Sequence, residues 1–351
     1  MKAPSIGAAA EVLSFLQPVT RELVHRSSIA EVFVTGGVRT GTHTFSVGAQ
    51  WPRDHALYHP DENGLNDPLL FAETLRQAHF YGAHTYFGVP LGSRFIGQDV
   101  SFDITDPAGL RVGAAPLAVV LHGTWTEEHD RRGRPAGARL DVTLTIDGRP
   151  CGRGHTRGLM LDERRYRLLR GRPVACGEAV PPGPAPDAGI ARPSRVGRLR
   201  WKDCVLERDR PDHQWGLRVD RDHAVLFDHP TDHVPLMVML EGFRQLGHLT
   251  VHETSGAAHG GQAFALAALS LDCAAFGEMG KTVLLTLEKG PSDVVASEVP
   301  ASGDHPLPEV PAPGEYALRV AAHQGGTLLA RAEMTWKCVG SRAPWSRFAS
   351  W

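Results

Sequence analysis

Two acidic residues, each followed three positions later by an arginine, stand out because their surroundings are apolar. The pairs are Glu73 with Arg76 and Glu241 with Arg244. A carboxylate can accept or orient a proton, and a guanidinium can bind a carboxylate or a phosphate through two hydrogen bonds. Burying such charges costs several kcal/mol unless they are paired or used in function. The structural alternative is an ion pair at i,i+3 spacing that fixes the orientation of the helix.

Both pairs lie in helical patterns that are apolar on nearly every side, which is typical of a buried helix. The first pattern spans residues 69–86 and the second spans residues 236–249. Asp67 is a suitable N-cap for the first helix, and Pro68 is a suitable first helical residue. His79, inside the first pattern, is interpreted as a core histidine whose hydrogen bonds are satisfied, as is His84.

The two helices belong to a segment that occurs twice in the chain. Each copy begins with Arg-Asp-His-Ala, continues through His-Pro and ends with Glu-x-x-Arg-Gln. Seven identities fall at the single offset of 168 positions, which indicates an internal duplication. The repeated residues are Arg53, Asp54, His55, Ala56, Glu73, Arg76 and Gln77, and then Arg221, Asp222, His223, Ala224, Glu241, Arg244 and Gln245.

The composition fits two domains of ordinary size. The chain has 351 residues, of which 42% are hydrophobic, so that each half can form its own core. Lys and Arg number 37 against 39 Asp and Glu, and no dense basic stripe occurs, so we expect no nucleic-acid partner. No long apolar run and no clear signal peptide is present, and we expect a cytoplasmic protein without a membrane segment. The five cysteines form no Cys-x-x-Cys pair and no glycine-rich nucleotide loop occurs, so that we expect no metal and no cofactor.

The chain is predicted to contain two modules joined by a linker. The linker is a segment rich in Pro, Gly and Ala at residues 172–198. The first module spans residues 24–171 and the second spans residues 199–340. An N-terminal extension at residues 1–23 and a tail at residues 341–351 complete the chain.

Strand patterns surround each helix and predict an antiparallel sheet. They lie at residues 31–35, 98–104, 117–125, 138–146, 150–160, 263–273, 282–288, 316–322 and 328–338. Asp147-Gly148 predicts a hairpin turn. The basic run at 164–172 is interpreted as a solvated segment, and residues 290–313 as an exposed loop that is partly disordered. One long buried helix with antiparallel strands in each half is the outline of an α+β, tandem hotdog fold.

The chain resembles the A-factor biosynthesis family, the γ-butyrolactone synthases, from about residue 24 to residue 338. The resemblance rests on WPRDHALYHP, DPLLFAETLRQA, YFGVPLG and DHPTDHVPLMVMLEGFRQ. It implies an acyltransferase that moves a β-ketoacyl group from acyl carrier protein to the hydroxyl of dihydroxyacetone phosphate. The product would lead to a γ-butyrolactone-type signalling molecule or a related butenolide or furan. The family members are tandem hotdog proteins, which matches the duplication.

The resemblance also implies roles for residues of the two helices. The family's acid and arginine match Glu73 with Arg76 and Glu241 with Arg244. One departure is Leu236, because the family has Gly after the Pro of this motif. The other is Ser93-Arg94, where the family has His-Gln. Leu236 is expected to narrow the start of the second helix, where a thioester carbonyl would lie.

Acyl transfer needs a base for the attacking hydroxyl and N–H donors for the oxyanion, and a helix start supplies such donors. We expect His229 or His233 to be the base and to work with Glu241, which lies one to two turns inside the same helix. The predicted catalytic residues are Glu73, Glu241, Arg244, His229 and His233. The predicted substrate-binding residues are Arg76, His55, His223, Arg53 and Arg221. For His55 and His223, a structural role in holding the loop is an equal alternative.

Two other functions fit the same residues. A hotdog dehydratase or thioesterase would use His229 with Glu241 on a carrier-bound chain, without a phosphorylated triose. A catalytically inactive acyl-binding protein would result if Leu236 blocks the acyl tunnel. For each of these functions, the acyltransferase included, we expect the two helices to pack side by side as a pseudo-dimer within one chain, with a further homodimer as an open alternative. One site is expected to be active and the other degenerate, with the acid–base groups in the second module.

Overall fold

The computed structural model describes residues 12–171, 189–207, 214–258, 262–290 and 314–341. Three sequence predictions fall wholly or largely outside these ranges. They concern the main part of the linker at 172–188, the loop at 291–313 and the tail from 342 onward.

Two long helices form the centre of the described structure, and a short one lies at its surface. They are α1 (Leu69–Tyr86), α2 (Glu163–Arg170) and α3 (Leu236–Ala258). Helices α1 and α3 are the predicted core helices, and they contact each other. Helix α1 begins after Pro68, and the Leu69 N–H donates to Asp67 Oδ1 at 2.8 Å, as predicted for an N-cap.

Within the described ranges, each half contributes six strands. In the first half they are β1 (Val34–Arg39), β2 (Thr44–Trp51), β3 (Arg94–Ile104), β4 (Leu117–His129), β5 (Pro135–Ile146) and β6 (Arg149–Leu161). In the second half they are β7 (Leu206–Glu207), β8 (Trp215–Leu217), β9 (Gln262–Cys273), β10 (Val283–Lys289), β11 (Glu315–Gln324) and β12 (Thr327–Ser341).

All the described strands form one antiparallel sheet. Counted from each outer edge toward the centre, the two halves have the same strand order. The order is β1-β2-β4-β5-β6-β3 and then β9-β12-β11-β10-β8-β7. The halves join where β3 pairs with β9, with Ser101 opposite Ser270. Each half therefore wraps its own long helix, and the predicted tandem hotdog fold is confirmed. No helix within the described ranges combines the length and the apolar character that a membrane crossing requires.

One predicted strand begins later than expected, and some of the observed strands follow no predicted pattern. The strand predicted at 31–35 begins only at Val34, because Ile29–Glu31 forms a 3-10 helix. The sequence patterns do not predict β2, because five consecutive buried residues hide its alternation, or β8, which has only three residues. The hairpin at Asp147-Gly148 is confirmed, with left-handed φ angles of 49° and 74°.

The basic run after β6 is a helix with one solvated face and one packed face. Asp162 caps α2 by accepting the Arg165 N–H at 2.8 Å. Tyr166 is buried, and Arg170 Nη1 donates to Glu278 Oε1 at 2.9 Å. The interpretation as a solvated segment was therefore wrong for the packed face, because these two side chains bind acids of the second half.

The end of the predicted linker is also packed. Val196 and Arg198 are both buried, at 0% and 2% exposure. The Arg198 N–H donates to the Pro193 carbonyl at 2.9 Å, which closes a turn before the second module. Residues 193–198 thus belong with the folded second half, since they carry a buried charge into it.

Candidate functional site

Two cavities lie between the halves, and each is bounded by the start of one long helix and by an arginine of the other. The α3-end cavity has Leu236 of α3 and Arg76 of α1 in its wall. The α1-end cavity has Pro68 before α1 and Arg244 of α3 in its wall. Their volumes are similar, about 990 and 950 Å³ when counted out to the open mouth. The duplicated segments therefore build two related cavities, and each needs both halves.

Glu73 is fully buried behind the α3-end cavity and receives hydrogen bonds from three side chains. Arg26 Nε donates to Oε1 at 3.0 Å and Arg76 Nε donates to Oε2 at 2.9 Å. Gln77 Nε2 donates to Oε1 at 2.6 Å. Burial alone would raise the pKa of the Glu73 carboxyl, but Arg26 and Arg76 lower this pKa to about 2. Glu73 is thus a carboxylate of low basicity that orients two guanidiniums.

Glu241 is held in the same way behind the α1-end cavity. Arg198 Nε donates to Oε1 at 2.7 Å, Gln245 Nε2 donates to Oε1 at 2.5 Å, and Arg244 Nε donates to Oε2 at 3.3 Å. Burial would raise the pKa of Glu241, but the charges of Arg198 and Arg244 lower it below its usual value. Arg198 has a further partner, because its Nη1 donates to Asp67 Oδ2 at 2.7 Å.

The starts of the two long helices differ chemically. The N–H groups of Leu236 and Met237, which begin α3, have no acceptor among the described residues. Before α1, Pro68 has no N–H, and Asp67 accepts the N–H of Leu69. Free amides at the positive end of a helix dipole can bind a developing negative charge. Among the described residues, both N–H donors are free at the α3-end cavity. At the α1-end cavity, the Leu69 N–H is occupied and Pro68 has no N–H.

An aspartate and a histidine form a pair in the loop before α3. His233 Nδ1 lies 2.7 Å from Asp232 Oδ1, so that its Nδ1–H donates to the carboxylate and leaves Nε2 available to accept a proton. The Tyr166 hydroxyl donates to Asp232 Oδ1 at 2.6 Å, and Arg170 Nε donates to Oδ2 at 3.2 Å. Burial would raise the pKa of Asp232, but hydrogen bonds from His233 and Tyr166 lower it. Helix α2 therefore fixes a charged partner for His233.

His25 and His229 line the same cavity and are neutral at physiological pH. Burial, His84, Arg76 and His229 lower the pKa of His25 to about 3. Burial and the charges of Arg76 and Arg26 lower the pKa of His229. The ring nitrogens His25 Nε2 and His84 Nε2 lie 2.9 Å apart. The imidazoles of His25 and His229 are therefore uncharged beside the guanidiniums of Arg26 and Arg76.

His79 also lines the α3-end cavity, and its two ring nitrogens have no hydrogen-bond partner in the described part of the chain. Its exposure is 3%, and burial followed by the effect of His84 lowers its pKa to about 4. The expectation that His79 is a satisfied core residue was therefore wrong, because both ring nitrogens are buried without a hydrogen-bond partner among the described residues. The expectation was correct for His84, whose Nδ1 donates to the Val89 carbonyl at 2.7 Å.

The strand residues that line the α3-end cavity are smaller than those at the corresponding positions of the α1-end cavity. Gly97 and Gly158 are opposite each other on β3 and β6 and line the α3-end cavity. The corresponding positions on β9 and β12 are Leu266 and Trp336, which line the α1-end cavity. A Cβ atom on Gly97 would lie 3.2 Å from Leu236 Cδ2. The extra bulk of Leu236, expected to narrow the helix start, is thus accommodated over Gly97.

The predicted pairing of His229 or His233 with Glu241 was wrong, because the structure places these groups in different cavities. His229 and His233 line the α3-end cavity with Arg76, whereas Glu241 lies behind the α1-end cavity with Arg244. Arg198 links Glu241 of α3 to Asp67, which precedes α1. Proximity along the chain therefore gives the wrong partner, and the α3-end cavity combines Glu73 and Arg76 of the first half with histidines of the second.

The predicted substrate-binding residues of the Arg-Asp-His-Ala loops lie outside the linings of both cavities. His55 Nδ1 accepts the Tyr58 N–H at 3.1 Å, and His223 Nδ1 accepts the equivalent Leu226 N–H at 3.1 Å. The other nitrogen of each ring faces an acid, with His223 Nε2 at 3.1 Å from Asp203 Oδ1. These contacts hold the loop. In the same loops, Arg53 and Arg221 are exposed to solvent.

Sequence reasoning missed the two arginines that bind the buried acids from outside the long helices. They are Arg26 and Arg198, each in a Val-x-Arg motif, and they are 172 positions apart. The segments containing them also supply the backbone carbonyls that accept from Gln77 and Gln245. A search for repeats that allowed small changes of offset would have found this signal. Asp232, beside His233, gave no separate signal in the sequence.

Within the described ranges, no cluster of three or more His, Cys, Asp or Glu side chains is arranged to hold a metal ion. The polar groups of the α3-end cavity include N–H donors, guanidiniums and histidines, one of which is paired with Asp232. Free N–H donors at a helix start can stabilise an oxyanion, and a histidine paired with a carboxylate can transfer a proton.

Comparison with known proteins connects this geometry to a family. The family model of the A-factor biosynthesis hotdog domain matches residues 7–162 and 181–340. A 2-oxo-3-(phosphooxy)propyl 3-oxoalkanoate synthase from Streptomyces virginiae is 42% identical over 227 residues, which are 65% of this chain and 75% of that one. A protein of the same name from Streptomyces griseus subsp. griseus is 35% identical over 245 residues, 69% of this chain and 74% of that one.

Among solved structures, an acyl-ACP thioesterase from Bacteroides thetaiotaomicron is similar with a TM-score of 0.46 and 14% sequence identity. The match covers 83% of this chain and 98% of the thioesterase.

Proposed function

The chain belongs to the A-factor biosynthesis hotdog family, and from this premise we propose that it is an acyltransferase. It moves a 3-oxoacyl (β-ketoacyl) group from acyl carrier protein to a hydroxyl of dihydroxyacetone phosphate. The product is a 2-oxo-3-(phosphooxy)propyl 3-oxoalkanoate, the compound named for its relatives. The observation that carries this proposal is the α3-end cavity, which is lined by the start of α3, by Arg76 and by His233 of the Asp–His pair.

The thioester carbonyl binds at the start of α3. The N–H groups of Leu236 and Met237 are available there, and the helix dipole adds partial positive charge. As the hydroxyl attacks, the carbonyl oxygen becomes an oxyanion that these donors stabilise. The sheet and both long helices supply the walls of the site. This arrangement supports the α3-end cavity as the transfer site.

His233 is the proposed general base. Its Nε2 takes the proton from the triose hydroxyl while the hydroxyl oxygen forms a bond to the thioester carbon. The carbon–sulfur bond then breaks, and the proton returns from His233 to the departing sulfur, which leaves as a thiol. The Asp232 carboxylate stabilises the imidazolium that exists between these two steps, because it accepts the Nδ1–H at 2.7 Å. His229 lines the same wall and contacts the acceptor.

Arg76 is the proposed phosphate-binding residue. Its Nε and Nη2 donate to Glu73, and neither bond uses Nη1. The Arg76 side chain is 17% exposed, compared with 7% for Arg244, and its guanidinium lies over the Phe80 ring at 4.9 Å. Glu73 keeps the guanidinium in place, since a carboxylate with a pKa of about 2 stays charged at physiological pH.

The acyl chain lies along the sheet between the two glycines of β3 and β6, with His79 beside it. A buried neutral imidazole has one N–H donor and one acceptor, and leaving both unpaired is costly. His79 lines the cavity, and both of its ring nitrogens lack a hydrogen-bond partner among the described residues. The 3-oxo group of the substrate offers a carbonyl that accepts its N–H, which a saturated acyl chain does not. His79 therefore distinguishes 3-oxoacyl from saturated acyl chains.

The test is mass spectrometry of products formed from a 3-oxoacyl thioester, with and without dihydroxyacetone phosphate. We expect a phosphate-containing ester that appears only with the triose. Arg76→Ala should raise the KM for the triose phosphate, since one guanidinium contact to phosphate is lost. Arg134→Ala, which changes an exposed arginine paired with Asp130, is the matched control and should leave this KM unchanged.

The outcomes separate the possible activities. Loss of the thioester without any need for the triose would establish a hydrolase or dehydratase instead. Absence of turnover with several chain lengths, together with saturable binding of the thioester, would establish an acyl-binding protein. An Arg76→Ala enzyme with an unchanged KM for the triose phosphate would remove Arg76 from the phosphate site but leave the transferase in place.

A further inference from the structure

We propose that the α1-end cavity is a second binding site, which takes a small uncharged molecule that carries at least one hydroxyl group on an apolar body. This inference is independent of the proposed transfer reaction, which uses the α3-end cavity. It rests on polar atoms, charge balance and wall composition in the α1-end cavity alone.

Three buried polar atoms of this cavity's lining have no hydrogen-bond partner among the described residues. They are His59 Nε2, Asn66 Oδ1 and Trp336 Nε1. The exposures of the three residues are 7%, 1% and 2%. Each unsatisfied buried group costs about 1–3 kcal/mol, so three of them around one cavity indicate a site built for polar contacts.

The known hydrogen bonds of these residues define what each free atom can do. His59 Nδ1 lies 2.9 Å from the Pro60 carbonyl and must donate to it, which makes Nε2 of the neutral ring an acceptor. Burial, followed by the charge of Arg198, lowers the pKa of His59 and keeps it neutral. Asn66 Nδ2 donates to the Leu110 carbonyl at 3.2 Å and leaves Oδ1 as an acceptor. The indole N–H of Trp336 is a donor. Two acceptors and one donor match a ligand with hydroxyl hydrogens and an oxygen that accepts.

The charges in the wall favour an uncharged ligand. Arg198 and Arg244 are matched by two carboxylates, Glu241 and Asp67, so that the guanidiniums are already neutralised. Asp61 also lines the cavity and adds negative charge, which opposes a phosphate or a carboxylate. The rest of the wall is largely apolar and includes Leu65, Leu110, Phe264 and Leu266.

The same cavity is not a second thioester site. Asp67 accepts the Leu69 N–H, and Pro68 has no N–H, so that no free amide at the start of α1 faces an oxyanion. The Asp67 carboxylate would also repel developing negative charge. The start of α1 therefore offers a ligand in this cavity no pair of amides that could stabilise an oxyanion.

The probe is 1,2-hexanediol, which has two hydroxyl groups on an apolar chain, and the charged counterpart is hexyl phosphate. The readout is the set of indole N–H signals in a nitrogen–proton correlation spectrum of the full chain, which has seven tryptophans. Trp336→Phe assigns the signal of Trp336. We expect 1,2-hexanediol to shift this signal saturably and hexyl phosphate to shift it at least tenfold more weakly.

Two variants make the result specific. Asn66→Leu and His59→Phe remove one acceptor each and should weaken the binding of 1,2-hexanediol several-fold, while the remaining indole signals show that the chain is folded. His79→Phe changes the α3-end cavity and should leave the binding unchanged. A Trp336 signal that does not respond saturably to 1,2-hexanediol would show that the cavity holds only solvent and would overturn the proposal. Equal or tighter binding of hexyl phosphate would overturn the charge assignment.

Discussion

The two cavities of this chain are made from the same duplicated parts, and they differ at the places where chemistry would occur. Both have a buried glutamate held by two arginines and a glutamine. At the helix start, the α3-end cavity has the free amides of Leu236 and Met237, whereas the α1-end cavity has the capping carboxylate of Asp67. The shared network is therefore a structural frame, and the helix start decides which cavity can stabilise an oxyanion.

The comparison extends to the walls. His79 of α1 corresponds, 168 positions later, to Gly247, and the Gly97–Gly158 pair corresponds to Leu266 and Trp336. These exchanges give the α3-end cavity a polar group beside an open sheet and give the α1-end cavity an apolar wall. A duplicated protein can thus keep one acid–arginine frame twice while specialising each cavity through a few other positions.

The largest expected effect comes from His233, which has no histidine counterpart in the first half. His233→Ala should lower kcat by about 10²- to 10⁴-fold, since it removes the general base. His129→Ala, at an exposed site on β4, is the control and should keep full activity. Initial rates of ester formation measure both variants. A His233→Ala enzyme with more than a tenth of the normal kcat would mean that another group, such as His229, takes the proton.

The next prediction converts one helix start into the other. Leu236→Pro removes an N–H at the first position of α3, where proline is tolerated, and imitates Pro68. Loss of one oxyanion donor should lower kcat by about 10²- to 10³-fold with little change in the melting temperature. Leu236→Ala keeps the N–H and should stay within a few-fold of the original kcat. If both variants lost activity equally, the side chain and not the amide would be responsible.

A smaller effect is expected from the wall residue His79. His79→Phe should lower the preference for a 3-oxoacyl over a saturated acyl thioester of equal length by about fivefold to tenfold, because one neutral hydrogen bond contributes about 1 kcal/mol. His79→Gln keeps a donor and an acceptor and should retain most of the preference. The ratio of kcat/KM values for the two thioesters is the measurement. An unchanged ratio in His79→Phe would exclude a role in recognising the 3-oxo group.

The smallest expected effect concerns the stability of the fold in acid, where the two cavities should behave alike. The pKa of Glu73 in the folded chain, about 2, lies below the ordinary value of 4.5, and the pKa of Glu241 is lowered as well. Their contribution to stability is thus full above pH 4.5 and is lost as the pH falls toward 2. Glu73→Gln and Glu241→Gln should each make the free energy of unfolding less dependent on pH in this range, to a similar extent. Urea unfolding at several pH values measures it, and a loss that persists in both variants would assign it to other carboxylates.

Much of the fold follows from the sequence, because the duplication and the two apolar helix patterns are strong local signals. The acid–arginine pairs are also predictable, since burial of a repeated charge requires a partner. Their correct partners are not predictable in the same way. His233 lies eight positions before Glu241 in the sequence, yet it belongs to the cavity of Glu73. The exchange of partners between halves depends on how the two helices pack, which no local pattern records. Arg26 and Arg198 were missed because their repeat has a different offset from that of the helices.

The position of Asp67 has a consequence for how such a chain can change over generations. This one carboxylate caps α1 through the Leu69 N–H and also pairs with the buried Arg198 at 2.7 Å. Replacing it alone would free one amide but would leave Arg198 with one fewer partner in the protein interior, at a cost of several kcal/mol. Recovering an oxyanion site would also require replacing Pro68. Neither substitution alone would provide two free N–H groups at the start of α1. The division of labour between the two cavities is thus protected against reversal by the stability of the fold itself.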